Sequence, residues 1–183
     1  MKYMITRVSQ VVACMMVVFI SLNCFAQPYS ESKPPVMPDI RLSPGEVATN
    51  GATIEQICVR GYASTIRNVS EKTKREVFIR YFGHVPKNTG QFEIDHIISC
   101  ELNGSQSVNN LWPEPYDTGL IYNAHTKDAL ENKLAAMVRK DLIENGHDHA
   151  TQLLHQVQKE IATNWIDAYK KYVGKGQASK VTE

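Results

Sequence analysis

The sequence predicts an α+β fold, in which a two-stranded antiparallel hairpin and a crossing helix are embedded in a mainly helical single domain. Three observations carry that prediction. A strand-like apolar run at residues 92–96 ends in Asp95-His96, and a Gly/Ser/Asn loop separates it from Asn110-Leu111-Trp112-Pro113-Glu114-Pro115. The 14 residues from His96 to Asn110 are enough for a second strand to return beside the first. Beyond residue 123 the apolar residues keep helical rather than strand spacing.

The N-terminus has the form of a secretory signal peptide. Lys2 and Arg7 make a basic region, residues 11–22 are apolar apart from Ser21, and Cys24-Phe25-Ala26 ends in a small residue. The run is short for a membrane span. Cleavage after Ala26 leaves 157 residues, which is one compact domain with a real core. The expected location is secreted or periplasmic, with no membrane attachment after cleavage and a monomeric chain. The formal charge is +1 for the whole chain, and loss of Lys2 and Arg7 leaves 18 basic against 19 acidic residues. Bulk charge therefore gives no sign of nucleic-acid binding. Of four cysteines, Cys58 and Cys100 remain. Two readings stay open for them, a disulfide of an oxidising compartment or two buried thiols. No C-x-x-C pair supports a structural zinc knuckle.

Residues 27–53 carry Pro28, Pro34, Pro35, Pro38 and Pro44 and read as a flexible lead-in. The domain spans 54–174, and 175–183 reads as a disordered tail. Residues 54–59 form a short apolar stretch with strand character, broken by Gly61. Ser70 is an N-cap for a helix over 71–82, with Gly83 just past its end. Val77, Phe78, Tyr81 and Phe82 share one face of that helix. Residues 60–87 hold seven basic residues against Glu71 and Glu76, the one basic region of the chain. Exposed Lys72, Lys74 and Arg75 are its candidates for contacting nucleic-acid phosphates.

A helix over 123–143 follows, with Leu130, Leu134, Met137 and Val138 at core spacing. Residues 147–172 form one long helix or two broken ones, along an apolar stripe from Leu153 to Val173. His147, His149 and His155 lack partners at ligand spacing and read as surface residues.

The chemistry concentrates on residues 92–131. Asp95 suits a hard cation, and the imidazole of His96 suits removal of a proton from water near neutral pH. Neighbours on a strand point to opposite faces, so the two share a site only where the strand ends, bulges or twists. The Asn110 amide is placed to bond the backbone near His96 and hold the loop. On the helix, Asn123 pairs in position with Lys127, and His125 with Asp128. Trp112 reads as core, Glu114 as a loop carboxylate, and Lys127 either as a phosphate contact or as a partner of Glu131.

Together these residues resemble the HNH, or ββα-metal, nuclease motif. More narrowly, they are similar to small exported bacterial proteins with a D-H, Gly-containing loop, N-L-W-P-E-P and K-D-x-x-E pattern. Here that pattern is Asp95-His96, Asn103-Gly104-Ser105, residues 110–115, and Lys127-Asp128 with Glu131. Cys58-Val59-Arg60-Gly61-Tyr62 and Ile161-Ala162-Thr163-Asn164-Trp165 extend the resemblance over about residues 38–172.

The resemblance implies His96 as general base, Asp95 as a metal ligand and Asn110 as the central Asn. Asn123 or His125 stands for the last H of the motif, and Asp128 is a further ligand candidate. It implies one divalent metal ion, Mg²⁺ first, with Mn²⁺, Ca²⁺, Ni²⁺ or Zn²⁺ as alternatives. The chain lacks the zinc-binding cysteines that flank many such motifs. The expected activity is metal-dependent hydrolysis of phosphodiester bonds in nucleic acid, DNA before RNA. The rival readings are a non-catalytic nucleic-acid-binding module and a metal-stabilised structural protein of the cell envelope.

Overall fold

A computed structural model of the chain describes residues 28–119 and 121–174. The expected signal peptide and the tail at 175–183 lie outside them. The described chain combines five α-helices with one two-stranded antiparallel sheet, a mixed α+β architecture. The helices are α1 (Ile54–Ile57), α2 (Tyr62–Ile66), α3 (Glu71–Phe82), α4 (Ala124–Asn145) and α5 (His147–Tyr172). The strands are β1 (Phe92–His96) and β2 (Leu111–Pro115), in register from Phe92 opposite Pro115 to His96 opposite Leu111.

Two apolar clusters hold these elements. In the larger, α4 and α5 fold back on one another across Gly146 and pack Leu130, Leu134 and Val138 against Leu154, Val157, Ile161 and Trp165. Gly146 turns the chain at φ 83°, in the left-handed region where glycine has no Cβ penalty. In the smaller, Val77, Phe78, Tyr81 and Phe82 of α3 bury against Phe92, Ile97, Leu111 and Trp112. Helix α3 starts and stops where the sequence places it. The Ser70 hydroxyl accepts from the Thr73 N–H, and Gly83 closes the helix at φ 78°. Helix α5 is interrupted at Asn164 (φ −162°, ψ 96°), whose side chain accepts from the Asp167 N–H and caps the second half. Residues 147–172 are thus two helical pieces joined end to end.

Two sequence expectations need correction. Residues 54–57 are helical rather than extended, because Thr53 and Gln56 form a reciprocal capping box at their start. The segment read as a flexible lead-in is strapped to the domain from residue 29 onward. Tyr29 stacks on Tyr81 with centroids 6.0 Å apart, and the Ser43 hydroxyl donates to the Leu111 carbonyl at 2.7 Å. The Gly45 N–H donates to the Asn109 carbonyl at 2.9 Å and the Ala48 N–H to the Asn103 carbonyl at 2.8 Å. These bonds satisfy the backbone that prolines keep out of helix. Of the two readings open for the cysteines, the thiol holds. Cys58 and Cys100 are both free, so the core and not a disulfide joins α1 to the loop after β1. Among the described residues no helix is long and apolar enough to cross a membrane.

Candidate active site

The loop between β1 and β2 is organised by Asn110. Its Oδ1 accepts from the Ile98 N–H at 2.9 Å and from the Glu46 N–H at 3.1 Å. Its Nδ2 donates to the carbonyls of Ile98 and Ser105, both at 2.9 Å. One buried side chain thus ties the end of β1, the middle of the loop and the N-terminal strap. Gly104 is required here, since an added Cβ would lie 1.7 Å from the Ile98 carbonyl oxygen. Asn103 takes the left-handed turn beside it at φ 59°.

This loop wraps His96, which is 4% exposed at the end of β1. The His96 Nε2 lies 3.1 Å from Gln106 Oε1 and 3.4 Å from the Cys100 sulfur. The Asn68 N–H donates to the same Gln106 oxygen at 3.1 Å, and Gln106 Nε2 donates to Cys100 at 3.3 Å. An amide oxygen only accepts, so Nε2 donates in its contact with His96, and the neutral ring carries its lone pair on Nδ1. Burial acts to raise the Cys100 thiol, but its contacts with His96 hold it below its ordinary value.

A cleft of about 330 Å³ adjoins this centre. Four consecutive β1 residues, Glu93 to His96, line it together with Arg67 and Lys74. It therefore runs along the unpaired edge of β1, with cationic side chains from the α2–α3 connection and from α3. A neighbouring cleft of about 630 Å³ continues past Lys74 and Arg75.

Asp95 lines the same cleft as His96, and its carboxylate meets α4. There Lys127 is 1% exposed, and its ammonium donates to Asp95 Oδ2 at 2.5 Å, to the His96 carbonyl at 2.7 Å and to Glu131 Oε1. All three ammonium protons are used, so Lys127 has no donor left for a substrate phosphate. The expected i, i+4 pairing of Lys127 with Glu131 is present, but it is internal.

Glu114, read from sequence as a loop carboxylate, is 1% exposed on β2, and neither carboxyl oxygen has a hydrogen-bond partner. Burial first, then the charge of Asp95, push it well above the ordinary carboxylate range. Burial also lifts Glu131 to about 7 against the partial opposition of Lys127. For Asp95, burial acts upward, but the Lys127 ammonium first and then the neighbouring Glu114 carboxyl hold it below its ordinary value.

Each of the other expected ligands has its own surroundings on α4 or at its start. Asn123 is the N-cap of α4, its Oδ1 accepting from the Thr126 N–H at 3.3 Å. His125 is exposed beside the Tyr116 ring, at a centroid distance of 6.1 Å. Asp128 is exposed on α4, its carboxyl raised by partial burial and by Asp95. Among the described residues no group of three His, Cys, Asp or Glu gathers to hold a metal ion. With Asp95 committed to Lys127 and Asn123 to its cap, the donor set does not fit the divalent ion that the resemblance implies.

Of the expected phosphate contacts, Lys72 and Arg75 are exposed, while Lys74 pairs with Glu71 at 2.7 Å and remains 41% exposed. Sequence reasoning missed Arg67, Gln106 and Cys100 as neighbours of His96. Arg67 stood in the basic stretch but outside any helix, and no spacing rule reaches across the fold to it. Comparisons with protein-family models, with curated proteins and with solved structures found no match.

Proposed function

We propose that this chain hydrolyses phosphodiester bonds of nucleic acid, DNA before RNA, in the cleft along the free edge of β1. The observation that supports this best is His96, buried at the cleft wall with Nε2 held by Gln106 and Nδ1 left with its lone pair. Nδ1 takes a proton from water, the oxygen attacks phosphorus in line, and the opposite P–O bond breaks with its electron pair going to the departing oxygen. Arg67 and Lys74 lie where positive charge stabilises the phosphate as it gathers negative charge. Asn110 is a positioning residue, since its four bonds hold the loop and not the substrate. No step here is routed through a metal.

One observation favours a second reading. Lys127 occupies the carboxylate of Asp95, the residue that the resemblance makes a metal ligand, as suits a nucleic-acid-binding module without turnover. Incubating the protein with plasmid and with RNA, in Mg²⁺ and in EDTA, beside His96→Ala, separates the two. Hydrolysis is expected, with His96→Ala lowering turnover by about 10²–10⁴-fold. Binding without cleavage supports the module; a fully active His96→Ala removes the base.

A further inference from the structure

Three oxygens surround the Lys127 ammonium: Asp95 Oδ2 at 2.5 Å, the His96 carbonyl at 2.7 Å, and Glu131 Oε1. A second, independent observation accompanies them. The buried Glu114 carboxyl, which feels the charge of Asp95, has neither oxygen in a hydrogen bond of ordinary geometry. Three carboxyls thus face one ammonium in a place that water barely reaches, and the same ammonium grips the main chain at His96.

We infer that Lys127 is the resident cation of this centre, a protein-borne ammonium on the carboxylate that the resemblance makes a metal ligand. It neutralises Asp95, and it fixes the carbonyl of His96 and so the end of β1. The centre therefore assembles without a metal, and a divalent ion enters only when Lys127 is removed. This role goes beyond the proposed hydrolysis and does not depend on it. The readouts below measure ion uptake and folding, so either idea can fail while the other stands.

The test uses Mn²⁺ as the probe, titrated by calorimetry and by electron paramagnetic resonance into the parent, Asp95→Asn, Lys127→Met and Lys127→Ala. The parent is expected to show no saturable uptake tighter than about 1 mM, the weak end of natural cation sites. Lys127→Met leaves the buried carboxyls uncompensated, and its Tm is expected to fall by roughly 10 °C. Mn²⁺, Mg²⁺ or Ca²⁺ should then raise the Tm of both Lys127 variants by several degrees and leave the parent unmoved.

One equivalent of Mn²⁺ in the parent, abolished in Asp95→Asn, would overturn the inference. So would a Lys127→Met protein as stable as the parent. A destabilised variant that no divalent ion rescues would overturn it too, because the centre would then be a lysine-specific ion pair and not a cation seat. Should neither Lys127 variant fold, the parent's own titration against Asp95→Asn decides.

Discussion

Asn110 and Ile98 exchange two hydrogen bonds through a single side-chain amide, one to the Ile98 N–H and one from the Ile98 carbonyl, each 2.9 Å long. With the bonds to Glu46 and Ser105, the amide uses both of its donors and both of its acceptor sites. Asn110→Asp keeps the shape but removes both donors and sets a charge against two buried carbonyls. It is expected to cost about 3 kcal/mol or more, given roughly 1–3 kcal/mol for each buried group left unpaired. Asn110→Ala should fall in the same range. Urea unfolding of the three proteins measures this, and an Asn110→Asp midpoint equal to the parent's would show that the amide does not organise the loop.

Gly104 is fixed by space. A Cβ there would sit 1.7 Å from the Ile98 oxygen and 2.8 Å from Asn110 Nδ2, so backbone must move. Gly104→Ala is expected to destabilise by roughly 3 kcal/mol and to lower turnover together with stability, because the displaced strand end carries His96. Gly119→Ala is a control for generic loop substitution, since it meets no atom within 4 Å although its positive φ carries its own strain. Equal losses at the two positions would argue against the close approach.

Glu131 gives the stability a pH slope. Its carboxyl lies at about 7 in the folded chain against 4.5 for the free group. Below 4.5 both states are protonated. Between 4.5 and about 7 the folded chain keeps a proton that the unfolded chain has released, so this group's contribution falls as pH rises. Above that window both states are ionised and the slope ends. Glu131→Gln should flatten the difference curve across the window, read as urea midpoints at several pH values. An unchanged slope would place the titration on another group.

The cationic side of the cleft separates affinity from rate. Replacing Lys72, Lys74 and Arg75 together with Ala should weaken binding of every nucleic-acid sequence about equally. It should also reduce the salt slope by roughly 0.9 for each duplex phosphate no longer neutralised. Arg67→Ala, at the wall shared with His96, should lower kcat more than it raises KM. Filter binding over a salt series and steady-state kinetics test both. A triple variant with the parent's salt slope would make α3 an ordinary solvated face.

Local chemistry was legible in the sequence. Ser70 and Gly83 bound α3 because caps are decided by a few adjacent residues, and Val77, Phe78, Tyr81 and Phe82 bury together as their spacing requires. The hairpin and its helix were legible because the turn lengths and the period of the apolar residues are local properties too. Asn110 bonds the backbone near His96 as its place at the end of the loop suggested. The sequence allowed Asp95 and His96 one site where the strand ends, and both line the same cleft, although the Asp95 carboxylate is taken by Lys127.

What only the tertiary structure decided is which polar groups are withdrawn from water. Lys127 has the sequence environment of a surface lysine, and Glu114 that of a loop carboxylate, yet both are 1% exposed. The same holds for Cys100, whose sulfur faces His96 instead of Cys58, and for the strap at residues 29–48 that completes the loop's hydrogen bonds. Burial of a charged group depends on partners far away in the chain. Asp95 lies 32 residues from Lys127, and Glu46 lies 64 residues from Asn110. Periodicity and capping act within a few residues, so they set the helices and the hairpin. The free energy of desolvating an ammonium is set only when distant carboxylates close around it.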